Sequence, residues 1–432
     1  MGQHDETQEE GPQRVVLQGV VDERRRLSDE LAQQYGSCNW VLQVGAPSAV
    51  FHSLLQMRAA GRTGPDYHTL AAVSGACALT PYSPTDSRGM LAFALVDPEK
   101  RMGEATGCLW ESVYVTGLEE TWNCMVADIE SGRPPRLWER GGAFLFAGRY
   151  SDPRTSDYDE VLALYAGRPE ACEEWQDMDF LYEWMMGPRR TESTSYLRYG
   201  GDSAPRPAVE VATEAIGCLV KWSKRPPGSV VRELGSIEFG LRAITAAAQD
   251  CAGGVLAPSL VGYAMLASSW CLRASTAAYL DHVADEALFP DELAPHLRAA
   301  AELYREAFGK WPQFQHLVDE HCELHAPEDD DDNADEDDRC EDAFDDDCRD
   351  EEGPDDDDVA GPEDTEEHPA DGAIPDAPDG RLAGEEDAGY DLIGRPVWSA
   401  KRCADGAALI RQWHDLEAAA IEELRKVWLA LD

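Results

Sequence analysis

Apolar residues recur at helical spacing near the N-terminus, over residues 47–60, where Ser48 is placed to cap the start of a helix. A shorter helical pattern covers residues 27–35. The residues before it, 1–25, are mostly polar and predict a disordered tail. We therefore expect the folded part of the chain to begin near residue 26.

The pattern then changes to a mixture of helix and strand. A helical repeat covers residues 118–131, and turn-forming residues follow it. Beyond the turn, three apolar runs have the length of strands: residues 136–138, 143–147 and 161–165. A helix that leads into a small antiparallel sheet predicts an α+β domain.

After Pro205-Arg206-Pro207 the apolar positions repeat every three or four residues as far as residue 308, which predicts a helical bundle. The same spacing returns at the C-terminus, in residues 406–432. Its apolar seam consists of Leu409, Trp413, Leu416, Ala420, Leu424, Val427 and Leu431. A helix with such a seam needs a partner, and we expect the bundle to provide it.

An acidic segment, residues 328–387, separates the bundle from this last helix. It holds 31 acidic and 3 basic residues, which is −28 of the formal charge of −47, so −19 remains for the rest of the chain. With almost no apolar residues to bury, it predicts a disordered insertion. Solubility is one role for it, and a basic protein partner is another.

These patterns divide the chain into five segments. They are a polar disordered tail (1–25), an α+β domain (26–204), an all-α bundle (205–327), the disordered acidic insertion (328–387) and a C-terminal segment with a helix that completes the bundle (388–432).

The negative charge argues against nucleic acid and anionic membrane surfaces as partners, because phosphate groups are repelled. The sequence contains no apolar run long enough for a membrane helix, and residues 1–14 do not form a secretory signal. We therefore expect a cytoplasmic protein. Its 12 cysteines form no Cys-x-x-Cys pair, which indicates buried thiols more than a disulfide framework.

Two further groups of residues suggest sites. His321 and His325 are four residues apart, so on a helix they share a face as metal ligands do, although a helix end with histidines placed against its dipole gives the same pattern. Trp110 and Trp138 belong to an aromatic-rich stretch that either fills a core or lines a binding pocket. Nothing in the sequence indicates a cofactor.

Several short sequence segments resemble those of a bacterial family, the papain-like proteins related to butirosin-biosynthesis protein H. The segments are residues 73–76 (Val-Ser-Gly-Ala), 128–134, 146–150, 297–311 and 416–421, and the resemblance covers about residues 30–325 and 404–432. It implies a cysteine-peptidase-like α+β domain followed by a helical domain.

The resemblance also implies acyl transfer or amide-bond chemistry by a thiolate that a histidine activates. Cys38, in Gly-Ser-Cys-Asn-Trp, is similar to the family's nucleophile setting, and His52 or His68 would be its base. The helix start at residues 46–48 aligns better with the nucleophile position and offers Ser48 there. The sequence departs from the family because no histidine occurs between His68 and His282.

Three functions remain open. The favoured one is a non-catalytic papain-like protein that binds a small molecule or a peptide, with a possible regulatory role. The second is a cysteine-dependent acyltransferase or amide hydrolase with Cys38 as nucleophile. The third is an interaction protein that acts through its acidic insertion.

Overall fold

The computed structural model describes residues 13–35, 41–43, 45–85, 92–93, 95–139, 142–151, 160–166, 173–176, 193–223, 237–255, 260–324 and 398–431. The acidic insertion, residues 328–387, lies outside these described residues. The described parts of Met1–His321 and Ala388–Asp432 belong to one compact unit. One apolar core extends through it from Val20 to Val427, so the expected α+β part and the helical part share buried side chains.

Antiparallel strands form the main sheet. They are β1 (Gln13–Val16), β3 (Cys108–Thr116), β4 (Arg136–Glu139), β5 (Gly142–Ser151), β6 (Glu160–Tyr165), β7 (Glu173–Gln176) and β8 (Ser193–Asp202). Their order is β3-β8-β4-β5-β6-β7, and β1 also pairs with β5. A separate short pair joins β2 (Pro81–Tyr82) to β9 (Glu238–Phe239). Together with the helices, this sheet confirms the predicted α+β class.

The helices surround the sheet and continue beyond it. They are α1 (Gln18–Tyr35), α2 (Gly45–Ala59), α3 (Tyr67–Val73), α4 (Pro98–Thr106), α5 (Leu118–Glu130), α6 (Ala208–Trp222), α7 (Gly240–Ala252), α8 (Leu260–Asp285), α9 (Ala294–Phe308), α10 (Trp311–Leu324) and α11 (Ala400–Leu431). Two 3-10 turns, Ala76–Ala78 and Asp291–Leu293, connect them. None of the described helices combines the length and apolar composition that crossing a bilayer needs.

The central strand β5 is buried on both faces, which explains why its sequence is a continuous apolar run. Leu145 and Ala147 lie in the core that contains α2. Phe144 and Phe146 point to the other side and lie in a second core with Trp122 of α5. Because side chains alternate across a strand, one five-residue run supplies both cores.

The predicted polar tail is wrong for residues 13–25. β1 and the first turns of α1 occupy this stretch, and Arg24 within it is completely buried. The Arg24 Nε donates a hydrogen bond to the Tyr165 carbonyl oxygen at 2.9 Å, and Arg25 pairs with Glu173 at 2.6 Å. The charged residues of this stretch pair with the sheet, and for that reason its polar composition did not indicate that it is folded. Residues 1–12 of the expected tail lie outside the described residues.

The sheet is larger than the three predicted strands because β3 and β8 form a long two-stranded ribbon. They pair from Cys108↔Asp202 to Thr116↔Ser193, whereas β4 meets β8 only at Arg136↔Leu197. Much of the ribbon is open to solvent, and the Tyr114 side chain is 76% exposed. Such a strand has too few buried positions to give a clear alternating pattern.

The C-terminal helix α11 packs its seam against the other helices of the helical layer. Trp413, Ala420, Leu424 and Val427 are buried. The Trp413 ring stacks on Trp270 of α8 with the ring centres 4.6 Å apart.

Candidate functional site

Helix α2 crosses the sheet, and its first turn carries Ser48. Gly45 opens the helix with φ +55°, in the left-handed region that favours glycine. The Ser48 side chain is completely buried, and its hydroxyl binds the backbone of β5 as a neighbouring strand would. It donates to the Ala143 carbonyl oxygen at 2.9 Å and accepts from the Ala143 N–H at 2.8 Å. The hydroxyl at the position where the family resemblance implies a nucleophile is thus held by backbone groups.

His52 lies one turn further along α2, and both of its ring nitrogens face carbonyl oxygens. Nδ1 is 2.8 Å from the Ser48 carbonyl oxygen, and Nε2 is 3.1 Å from that of Leu164. Burial lowers the pKa of His52 to about 3, and the positive charge of Arg136 lowers it further. The imidazole is therefore neutral at physiological pH, with its single N–H given to a carbonyl group.

Ser48 and His52 do not form a nucleophile and base. The Ser48 Oγ lies 3.5 Å from His52 Nδ1, beyond the usual range for proton transfer, and Nδ1 is closer to the Ser48 carbonyl oxygen. Arg136 adds to this backbone-directed arrangement, because its guanidinium donates to the Ala49 carbonyl oxygen at 2.9 Å and pairs with Glu99 at 2.5 Å. These contacts attach α2 to the sheet.

His68 belongs to a different buried group, between α1, α3 and α8. Its Nδ1 is 3.0 Å from the Ser275 Oγ, which is 3.1 Å from the Tyr35 hydroxyl oxygen. Burial lowers the pKa of His68, while Asp66 and Glu30 oppose that shift. Cys38 lies outside the described residues, so neither histidine is placed relative to its thiol.

The aromatic residues expected to line a pocket lie on the sheet. The half-buried Trp110 of β3 donates through Nε1 to the Gln56 Oε1 at 3.1 Å, and the amide of Gln56 donates to the carbonyl oxygens of Pro134 and Leu197. Trp110 therefore helps to fix α2 on the ribbon. Trp138 is in β4, and its side chain is outside the described part of the structure.

The expected metal pair lies at the end of α10. His321 is within this helix, but its side chain and all of His325 are outside the described residues. Where side chains are described, no three His, Cys, Asp or Glu residues come together as metal ligands do.

A cavity opens beside the start of α2, between the Ala76–Ala78 turn and α8. Its enclosed part is about 30 Å³, room for about two water-sized groups, and the empty space reaches about 360 Å³ only when the open solvent at its mouth is included. Its walls are mainly apolar and contain no charged side chain among the described residues. They consist of Gly45, Ala46, Ala76, Leu79, Pro81, Phe93, Ala264, Met265, Ser268, Ser269 and Leu272. We call this space the α2–α8 cavity.

One polar side chain of the α2–α8 cavity lacks a partner. The Ser268 side chain is nine-tenths buried and lines the cavity, and its hydroxyl makes no hydrogen bond to any described residue. Its neighbour Ser269 differs, because the Ser269 hydroxyl donates to the Met265 carbonyl oxygen within α8 at 2.9 Å. Solvent reaches the Ser268 oxygen, so a water molecule or a small bound molecule can supply its hydrogen-bond partner.

A buried ion pair holds the cavity wall in place. The Arg273 guanidinium of α8 pairs with Glu417 of α11 at 2.6 Å. It also donates to the Cys77 carbonyl oxygen at 2.8 Å and to the Thr80 hydroxyl at 2.6 Å. The chain enters this turn through Gly75, at φ +88°. The turn that forms one side of the cavity is therefore fastened to both long helices.

Sequence reasoning did not find this cavity. Its walls come from segments that are far apart in the chain, and most are ordinary apolar residues. The Ser268-Ser269 pair inside the apolar pattern of α8 is the signal that was available, because two adjacent hydroxyls in a buried helix need separate explanations.

No family model, no curated protein and no solved structure matches this chain.

Proposed function

We propose that this protein is a non-catalytic binding protein that holds a small molecule in the α2–α8 cavity. The papain-like relationship remains part of this proposal: the helix start that the resemblance aligns with a nucleophile lies beside a binding cavity. The observation that carries the proposal is the hydroxyl of Ser268, which belongs to a mostly buried residue on the wall of a mainly apolar space and makes no hydrogen bond to a described residue. An apolar pocket with few polar groups is typical of ligand sites.

The proposed role is non-catalytic because of the contacts that Ser48 and His52 make. The Ser48 hydroxyl is held by the backbone of Ala143, and His52 is neutral, with a pKa of about 3 and its single N–H directed at a backbone carbonyl oxygen. A general base near pH 7 needs a pKa close to that value and a free lone pair directed at the nucleophile. The geometry of α2 therefore supports binding better than catalysis.

Substitution of Ala264 tests the binding proposal directly. The Ala264→Leu change fills the cavity, whereas Ala278→Leu adds the same atoms to α8 at a half-buried position away from it. Saturation-transfer NMR on the full chain would use acetate, acetamide and ethanol as probes, which match the small enclosed space. We expect transfer to the methyl group of at least one probe in the wild type and in Ala278→Leu, and a loss of it in Ala264→Leu. Equal transfer in all three proteins, or none in the wild type, would overturn the proposal.

A further inference from the structure

We infer that the outer edge of β3 is an interface that pairs with β3 of a second copy of this chain. The inference is independent of the α2–α8 cavity and adds a partner to the proposed binding function. It rests on the position of β3 in the sheet, on the side chains that β3 exposes, and on the register in which two copies of its sequence can pair.

The outer edge of β3 is open. β3 is the end strand of the sheet, and among the described strands it pairs with β8 alone. Alternate residues of a strand direct their N–H and C=O groups to opposite edges, so β8 satisfies one set only. The Cys108 N–H donates to the Thr106 Oγ1 at 3.1 Å, and the rest of the outer set has no hydrogen-bond partner within the described parts of the chain. An unpaired edge of this kind is a template for another strand.

The sequence of β3 lacks the residues that commonly protect an edge strand. Such strands often carry Lys or Pro, and β3 contains neither. Its one charged residue, Glu111, is paired with Arg198 of β8 at 3.0 Å. Of the five large apolar side chains that are exposed in the described part of the chain, β3 carries two, Leu109 at 47% and Tyr114 at 76%. The edge is therefore apolar and accessible.

The shape of the ribbon also leaves β3 continuous. The pairing with β8 shifts between Leu109 and Trp110, where Gly200 of β8 is the extra residue. The bulge thus belongs to β8, and β3 keeps a regular backbone along its outer edge.

The sequence of β3 fits an antiparallel copy of itself. A twofold axis at Ser112, the middle residue of this nine-residue strand, pairs every position of the two strands. Glu111 then lies opposite Val113 of the second copy, so no charged residue faces another. An axis shifted by one residue, to Glu111, would put two carboxylates opposite each other, which disfavours that register.

The register with its axis at Ser112 also pairs aromatic side chains. Side chains alternate along a strand, so Trp110, Ser112 and Tyr114 share one face of β3. The exposed Tyr114 of each copy would lie opposite the half-buried Trp110 of the other. Aromatic pairs at directly opposite positions stabilise antiparallel strands. A second copy would therefore cover the Tyr114 ring, which the chain itself leaves in solvent.

The first test is sedimentation velocity of the full chain from about 1 to about 100 µM. We expect the dimer fraction to rise with concentration, and to rise further with added salt because the formal charge of −47 repels a second copy. Ser112→Asp puts two carboxylates opposite each other at the axis and should weaken the dimer about tenfold. Thr116→Asp is the matched control, because it adds the same charge at an exposed position of β3 that faces Cys108 of the second copy, and it should weaken the dimer much less.

The second test uses a cysteine at the axis. Directly opposite Cα atoms of antiparallel strands are about 4.5–5.5 Å apart, which is within the range of a disulfide. Ser112→Cys should therefore form an intermolecular disulfide in the presence of oxidised glutathione. Tyr114→Cys is equally accessible but faces Trp110, so it should not, and the wild type gives the background from the native cysteines. Circular dichroism of all variants establishes that they are folded.

Two results would overturn the inference. One is a chain that stays monomeric at about 100 µM in high salt. The other is a dimer that Ser112→Asp does not weaken and Ser112→Cys does not cross-link, because such a dimer forms through another surface. Neither result bears on the α2–α8 cavity.

Discussion

Ser48 and His52 lie one turn apart in α2 with Ser48 Oγ 3.5 Å from His52 Nδ1, yet each side chain is bound to backbone groups rather than to the other. The two residues have the spacing of a catalytic pair, but this arrangement gives them a structural role. It connects the helix to β5 and β6, the strands that carry Ala143 and Leu164.

The first prediction concerns the Ser48 hydroxyl. Ser48→Ala leaves both the N–H and the carbonyl group of Ala143 without their present partner, so it should lower the free energy of unfolding by about 2 kcal/mol. Ser131→Ala is the control, because that hydroxyl is exposed and should contribute less than about 0.5 kcal/mol. Urea unfolding of both variants measures the difference, and equal stabilities would contradict the structural role.

The second prediction concerns pH. Because burial lowers the pKa of His52 to about 3 from 6.5, the unfolded chain takes up its proton first as the pH falls. The stabilisation is complete above pH 6.5 and is lost between 6.5 and 3, at up to about 1.4 kcal/mol per pH unit. His68 contributes in the same direction.

His52→Gln should therefore flatten the dependence of unfolding free energy on pH in that window. The exposed Ser131 gives a control, and Ser131→Ala should retain the wild-type slope because it removes no titratable group. A wild-type stability that does not change between pH 6.5 and 4 would contradict a neutral, buried His52.

The third prediction separates binding from cysteine catalysis. Burial raises the pKa of Cys77 to about 11 and of Cys251 to about 12, so these thiols should react slowly at pH 7. The non-catalytic proposal predicts that Cys38 also reacts slowly. Labelling with iodoacetamide followed by peptide mass spectrometry gives the rate at each site, and rapid labelling confined to Cys38 would instead support the acyltransferase alternative.

The fourth prediction concerns the ion pair that holds the cavity wall. Glu417→Ala leaves the buried Arg273 charge without its carboxylate and should cost about 3–5 kcal/mol in unfolding free energy. Glu422→Ala removes an exposed partner of Arg425 and should cost no more than about 1 kcal/mol. Comparable losses in the two variants would show that the buried pair has no special role.

The sequence predicted the elements whose apolar pattern is strong. The α2 segment was expected at residues 47–60 and is Gly45–Ala59, and α5 was expected at 118–131 and is Leu118–Glu130. The strand expected at 143–147 is the centre of β5. These elements are buried on one or both faces, so side-chain period alone identifies them.

Elements whose stability comes from polar contacts were missed. Arg24 and Arg25 connect α1 to the sheet through Tyr165 and Glu173, and composition alone describes that stretch as a tail. The cavity was missed for another reason. Ala46 and Ser268 are more than 200 positions apart in the sequence, and only the packing of α2 against α8 brings them together. No local pattern contains that information.

The most direct test of the binding account is a set of crystal structures of the protein soaked with acetate, acetamide or ethanol. The account predicts at least one of these probes in the α2–α8 cavity, with a polar atom about 3 Å from the Ser268 Oγ. Its methyl group should lie against Met265 and Leu272. A cavity without any of the three at saturating concentration, or probes bound only elsewhere on the protein, would contradict it.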